Sequence, residues 1–167
     1  MHLSDFLRRV PTFARRYFAA ATAVIIALCP LHAQAQEADW KTNFVQAKTT
    51  AAQLQHYILL DFTGSDWCPW CVRMDKEVFS KAAFADFAAK HLVLVKLDYP
   101  RTKPQPAEEK AQNAELAKQF QIEGYPTYVL LDPSGKEVRR QVGYLQGGPA
   151  EFVRWTGLTN RAQRHLE

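Results

Sequence analysis

Apolar residues fall along this chain in two rhythms, short unbroken runs and helical spacings, and their alternation predicts an order of elements. Tyr57-Ile58-Leu59-Leu60-Asp61-Phe62 and Leu92-Val93-Leu94-Val95-Lys96-Leu97 are runs of strand length, each interrupted by a single charge. Thr127-Tyr128-Val129-Leu130-Leu131 is a third such run. The turn sequence Asp132-Pro133-Ser134-Gly135 follows it, and then Glu137 to Val142, so these last two strands are expected to form a hairpin.

Helical spacing fills the gaps. Asp39 is placed to cap a leader helix running through Phe44, Val45 and Ala51 to about Leu54. Gly64-Ser65-Asp66 ends the first strand, and a helix is expected to start near Cys68 with Pro69 in its first turn. Ser80, followed by Phe84 and Phe87, predicts that this helix bends or restarts before His91. After a loop containing Pro100, Pro104 and Pro106, Glu108 to Phe120 is helical, with Ala111, Leu116 and Phe120 near one face. Gly147-Gly148-Pro149 opens a last helix carrying Phe152, Val153 and Trp155. The order is a leader helix and then β-α-β-α-β-β-α. It predicts an α/β fold with a central mixed four-stranded sheet flanked by helices, its first two strands parallel through a right-handed crossover.

The N-terminus has a different character. Arg8, Arg9, Arg15 and Arg16 precede a nearly uncharged stretch from Tyr17 to Leu31, which ends in Ala33-Gln34-Ala35. A basic segment, an apolar segment too short for the roughly 20 residues of a membrane span, and a small-x-small site together read as a signal peptide. Residues 1–35 are expected to be removed after Ala35, leaving one domain over 36–167 in the periplasm or another exported location. An uncleaved membrane anchor is the competing reading, disfavoured by Pro30 and the cleavage site. The formal net charge of +4 and the pI near 9.0 then belong mostly to the removed segment, so they give no argument for nucleic acid as a partner. No repeat or low-complexity segment interrupts the remainder.

Of the three cysteines, Cys29 falls in the signal, which leaves Cys68 and Cys71. A disulfide closing so short a loop restricts the unfolded chain very little, so the pair is a poor staple. Cys-x-x-Cys between a strand and a helix start instead suits thiol exchange. Unpaired N–H groups and the dipole at a helix start stabilise a thiolate at Cys68, and Cys71 lies within reach to resolve a mixed disulfide. A zinc site would need further ligands, which His56, His91 and His165 do not supply at ligand spacing, so no metal and no cofactor are expected. A pair of inert buried thiols is the other alternative, and the expected exposed turn disfavours it.

Leu60-Asp61-Phe62, Trp67-Cys68-Pro69-Trp70-Cys71 and Gly124-Tyr125-Pro126-Thr127 together resemble the landmarks of the thioredoxin superfamily. Cys68 to Phe79 is similar to a bacterial exported subgroup with a W-C-x-W-C active site. The resemblance covers roughly Tyr57 to Trp155. It implies a thioredoxin-like fold, with Cys68 as nucleophile and Cys71 as resolving thiol. It further implies that Pro126 is a cis-proline facing the cysteines and that the Tyr125 backbone is left free for an extended substrate peptide. Asp61 lies where thioredoxins place a buried carboxylate that takes the resolving proton, and Lys96 where they place its lysine partner. The spacing from Asp61 to Cys68 is one position longer than in typical thioredoxins. Trp67 and Trp70 would offer clients an apolar surface, with Trp70 partly exposed, whereas the Pro100–Pro106 loop reads as a solvated linker.

The expected function is an exported thiol-disulfide oxidoreductase, acting as a monomer on protein thiols or disulfides. Trp70 stands where strong periplasmic oxidases resemble one another in having histidine, which leans the reading toward reductase or isomerase. That direction would call for an electron donor such as a membrane thiol conductor. A redox-silent binding or chaperone module on the same fold is one alternative. A glutathione-dependent glutaredoxin-like enzyme is another.

Overall fold

Each apolar run becomes a strand in the computed structural model, which describes residues 37–158. The strands are β1 (Trp40–Lys41), β2 (Tyr57–Thr63), β3 (Leu92–Asp98), β4 (Thr127–Leu131) and β5 (Glu137–Val142). The helices are α1 (Phe44–Leu54), α2 (Pro69–Met74), α3 (Ala82–His91), α4 (Ala107–Gln119) and α5 (Gly148–Thr156), with a π-helical turn over Asp75–Phe79 directly after α2. The expected signal peptide and its cleavage site lie outside the described residues. Among the described residues no helix is long and apolar enough to cross a membrane.

One mixed sheet results, in the order β1-β3-β2-β4-β5. β2 and β3 are parallel, with Asp61 opposite Lys96, while β2 and β4 are antiparallel, with Asp61 opposite Tyr128. β4 and β5 form the expected hairpin. The sheet has five strands rather than four because Trp40 and Lys41 pair in parallel with Leu94 and Val95. Two residues carry no periodicity, so this edge strand is invisible to pattern reading.

The same pairing corrects the start of the leader helix. Residues 39–41 are drawn out along the sheet edge, where Asp39 pairs with Lys41 at 2.6 Å. Asn43 caps α1 instead, its Oδ1 accepting from the Gln46 amide at 2.9 Å. On helix α4 and at its C-cap Leu116 and Phe120 are buried as expected, but Ala111 is exposed and Asn113 is buried in its place. Asn113 is tolerated there because its Nδ2 donates to the Asp98 carbonyl at 2.9 Å.

Alternation along the central strands divides the core in two. Ile58, Leu60, Phe62, Val93, Val95 and Val129 face α1 and α4, meeting Phe44, Leu116 and Phe120. Leu59, Leu94, Tyr128 and Leu130 face the other layer, meeting Met74, Phe79, Phe84 and Phe152. Period-2 alternation puts Asp61 and Lys96 on this second face, under the helix that carries Cys71. That face is packed with aromatic rings, with Phe79 and Phe152 centred 5.1 Å apart and Tyr128 and Phe152 5.3 Å apart. The predicted break in the middle helix is present. Its π turn ends with the Ser80 amide donating to the Asp75 carbonyl at 2.8 Å, and α3 restarts after Lys81.

Candidate active site

At the end of β2 the chain turns tightly, the amides of Trp67 and Cys68 both donating to the Gly64 carbonyl, at 3.3 and 2.9 Å. Gly64 allows this close approach, since a Cβ there would overlap the Trp67 indole. The turn delivers Cys68 to the N-cap of α2, and Pro69 follows at the first position, where a missing N–H leaves no intrahelical bond unmade. The Cys71 amide donates to Cys68 Sγ at 3.2 Å, and the Gly64 amide to Cys71 Sγ at 3.5 Å. The two cysteines are joined in a disulfide, their Cα atoms 5.3 Å apart.

Both cysteines are buried, each only 4% exposed, which corrects the expectation of thiols on an exposed turn. The cause is local. Each sulfur is turned toward a backbone N–H, so the exposed rim of the site consists of aromatic side chains.

Trp70, between the cysteines, is that rim, at 52% exposure. Its ring centre lies 5.6 Å from that of Tyr144, in the connection between β5 and α5. The Arg73 guanidinium sits 4.5 Å over Tyr144. Tyr144 donates to Glu77 Oε2 at 2.5 Å, and Arg73 Nε to Glu77 Oε1 at 2.9 Å. These two bonds, the Tyr144 one foremost, hold the Glu77 carboxyl below its ordinary range.

Trp67 is half-buried and faces the other way. Its Nε1 donates to the Tyr99 carbonyl at 2.7 Å, its ring meets Tyr125 edge-on at 5.5 Å, and the Arg101 guanidinium covers it at 3.9 Å. Trp67 therefore serves as a post between three segments as well as a neighbour of the nucleophile candidate.

The proline-containing loop is exposed as expected, but it is fastened rather than free. Asp66 accepts from the amides of Arg101, Thr102 and Lys103 and from the Thr102 hydroxyl, the last at 2.6 Å. The Thr102 hydroxyl bond, followed by these amides, holds the Asp66 carboxyl far below its usual range. Ser65 adds two bonds to Asp98, from its amide at 2.9 Å and its hydroxyl at 2.6 Å. Residues Ser65 and Asp66, in the segment one position longer than in typical thioredoxins, thus fasten the loop beside the cysteines.

The Tyr125–Pro126 bond is cis, and it precedes β4 directly. Tyr125 is partly buried between Trp67 and Tyr99, whose ring centre is 5.2 Å away.

Asp61 is 3% exposed, and its Oδ1 has no hydrogen-bond partner. Burial raises its pKa to about 7; nearby Lys96 opposes the rise, while Asp75 and Asp98 add to it. The expected partnership with Lys96 is only partial. Lys96 is the cross-strand neighbour of Asp61, but its Nζ pairs with Asp75 at 3.2 Å, because Asp75 sits at the π turn above it. Among the described residues, no cluster of three or more His, Cys, Asp or Glu is arranged to hold a metal.

The arrangement can therefore pass between a disulfide and a dithiol beside a buried carboxyl whose proton is lost near neutrality. Tyr144 and Tyr128, the cross-strand partner of Asp61, lie at this site without having been singled out in the sequence. Tyr144 carries no local signal, and Tyr128 reads as one more core aromatic.

Residues 44–157 match the family model described as a thioredoxin-like domain. The chain is 36% identical over 115 residues to the disulfide bond reductase DsbH of Chlamydia pneumoniae, covering 69% of this chain and 68% of that protein. It is 33% identical over 113 residues to the thiol:disulfide interchange protein DsbD of Actinobacillus pleuropneumoniae serotype 5b (strain L20), covering 66% of this chain but only 17% of that protein. Among solved structures, a DsbH oxidoreductase superposes with a TM-score of 0.67 at 34% identity, over 71% of this chain and 81% of the other. A Thermus thermophilus thioredoxin superposes with a TM-score of 0.54 at 23% identity, over 71% of this chain and 84% of the other, and shares the fold.

Proposed function

We propose, from the premise that this chain belongs to the thioredoxin-like family and is a thiol-disulfide oxidoreductase, that it reduces or isomerises protein disulfides outside the cytoplasm through Cys68. The observation that carries this reading is the Cys68–Cys71 disulfide at a helix start, with the Cys71 amide directed at Cys68 Sγ. The name of the similar DsbH, a reductase, supports the direction. So does Trp70, which cannot donate a charged hydrogen bond to the thiolate.

In the reduced protein the Cys68 thiolate attacks one sulfur of a substrate disulfide. The other substrate sulfur leaves as a thiolate and takes up a proton, and Cys68 is left in a mixed disulfide. Cys71 then gives its proton to the Asp61 carboxylate and attacks Cys68 Sγ, and the second substrate sulfur leaves as a thiolate and takes up a proton. Two electrons have moved to the substrate, and the Cys68–Cys71 disulfide has re-formed. A dithiol donor must return those electrons; a membrane thiol conductor is the class proposed.

The amide of Cys71 and the start of α2 stabilise the attacking thiolate. Trp70 presents the apolar surface a client meets first, Trp67 and Tyr125 are further client contacts, and the backbone at Tyr125 is the one that an extended segment would pair with. Export follows from the signal peptide read over residues 1–35, with 36–167 as the mature, monomeric domain in the periplasm. The W-C-x-W-C pattern is proposed as the mark of its subgroup.

A Cys71→Ala variant is expected to stop at the mixed disulfide, giving covalent adducts on Cys68 that dithiothreitol dissolves and mass spectrometry identifies. Protein adducts support this reading, whereas exclusive capture of glutathione would move the protein to a glutaredoxin-like role. No adduct on Cys68 from either source would end both.

A further inference from the structure

Two buried side-chain oxygens without a hydrogen-bond partner are found among the described residues, Asp61 Oδ1 and the Tyr128 hydroxyl. They belong to one place. Asp61 and Tyr128 are directly opposite each other across the antiparallel β2–β4 pair, on the face beneath α2. Directly opposed residues hold their Cβ atoms about 5 Å apart, so the two side chains are neighbours on that face, close enough for the Asp61 charge to act on the phenol although no hydrogen bond joins them in this structure. The Tyr128 ring is fixed by Phe79 at 5.4 Å and Phe152 at 5.3 Å, and both side chains are essentially inaccessible.

A buried hydroxyl without a partner is costly, by about 1–3 kcal/mol, and phenylalanine would fill the same space without that cost. The tyrosine therefore needs a reason. Of the charged groups facing Asp61, Lys96 on β3 favours its ionisation through its charge but hydrogen-bonds Asp75 from the π turn, and Asp98 at the end of β3 is held by Ser65. Cys71 on α2 is engaged in the disulfide. Among these groups Tyr128 is the O–H donor left to answer a negative charge on Asp61. Burial first, then Asp61 and Asp75, pushes its own ionisation far above the ordinary tyrosine range, so it stays a donor at any pH the enzyme meets.

We propose that Tyr128 is a positioning residue for the resolving step: its hydroxyl donates a hydrogen bond to Asp61 as that carboxyl ionises, and so sets the pH above which Asp61 accepts the Cys71 proton. No covalent bond of Tyr128 changes in the step, and its proton stays on the phenol oxygen. The inference rests on the reading of Asp61 as proton acceptor given above.

The test is Tyr128→Phe, which removes one oxygen and keeps the ring contacts. A hydrogen bond to a charged group favours ionisation by about one pH unit or more. The Asp61 carboxyl, followed by carbon NMR in the oxidised protein, should titrate about one pH unit higher in Tyr128→Phe. The acidic limb of the pH profile for disulfide reduction should move up with it. Thermal stability at pH 4 should be unchanged or raised, as a merely structural hydroxyl without a partner would also predict, so only the titration and the limb discriminate. An unmoved Asp61 titration, or an unmoved limb, overturns the role of Tyr128. Asp61→Asn separates the two readings. If that variant keeps the acidic limb, the acceptor reading itself fails; if it loses the limb while Tyr128→Phe leaves it in place, the role of Tyr128 alone fails.

Discussion

Substituting serine for Cys68 should lower disulfide exchange by about a thousandfold or more, because no covalent intermediate can form on a hydroxyl. The loss will be specific to chemistry. Cys68 is the N-cap of α2 and its sulfur accepts the Cys71 amide, a role that serine fills well. The variant is therefore expected to fold, to keep Trp70 and Tyr125 in place and to bind clients, while failing to reduce them. Turnover of a protein disulfide substrate, with circular dichroism as the control for folding, makes the comparison. Client reduction that survives Cys68→Ser would mean that Cys68 is not the nucleophile, whereas clients that are bound but not reduced even by the wild-type protein would favour a redox-silent binding module on the same fold.

The second large effect concerns stability and pH. An Asp61 carboxyl that ionises near its ordinary value in the unfolded chain holds its proton up to about 7 in the folded one. Between those limits the native state binds more protons than the unfolded state, so stability falls as pH rises from about 4 through 7. Below that window both states are protonated and nothing is lost. Above it the folded protein carries a buried negative charge, and the full difference corresponds to on the order of 4 kcal/mol. Asp61→Asn removes the titration. Chemical denaturation of wild type and variant at pH 4 and pH 8 should show the variant gaining on the wild type by about that amount, whatever constant offset the buried amide brings. Parallel pH dependence in the two proteins would mean that Asp61 is not the group responsible.

Much of this architecture is legible in the chain because its signals are local. The β4–β5 hairpin follows from a turn whose Asp132 side chain accepts from the Ser134 and Lys136 amides, at 2.9 and 3.0 Å. The start of α2 follows from Pro69, whereas the placement of Asp61 beneath it is implied by the resemblance to thioredoxins. What pattern reading misplaces depends on competition or on distance. Asp39 and Asn43 are both acceptable caps, and the choice is made by an edge pairing too short to leave a pattern. Nothing around Asp66 announces that it will gather amides 35 to 37 residues further on. Tyr144 reaches Glu77 across 67 residues. Tyr128 is hidden by its own ring, which satisfies every expectation for a core aromatic while its hydroxyl does not.

The burial of both cysteines fits a division of labour within the site. The exposed rim of the site is Trp70, with Tyr144 and Arg73 stacked beside it, while the sulfurs are kept among backbone donors and the buried Asp61 carboxyl lies on the sheet beneath. Fastening of residues 101–103 to Asp66 gives that rim a second, cationic edge, since Arg101 lies over Trp67. Selectivity among clients would then be set at the rim, and the rate of resolution in the interior.

The most direct measurement is the pH dependence of iodoacetamide alkylation in the fully reduced protein, with each cysteine followed separately by mass spectrometry. Cys68 should react first, with a midpoint below the value of about 8.5 for an ordinary thiol, while Cys71 stays protected. Equal labelling of the two residues, or a Cys68 midpoint at or above that of an ordinary thiol, would contradict the account.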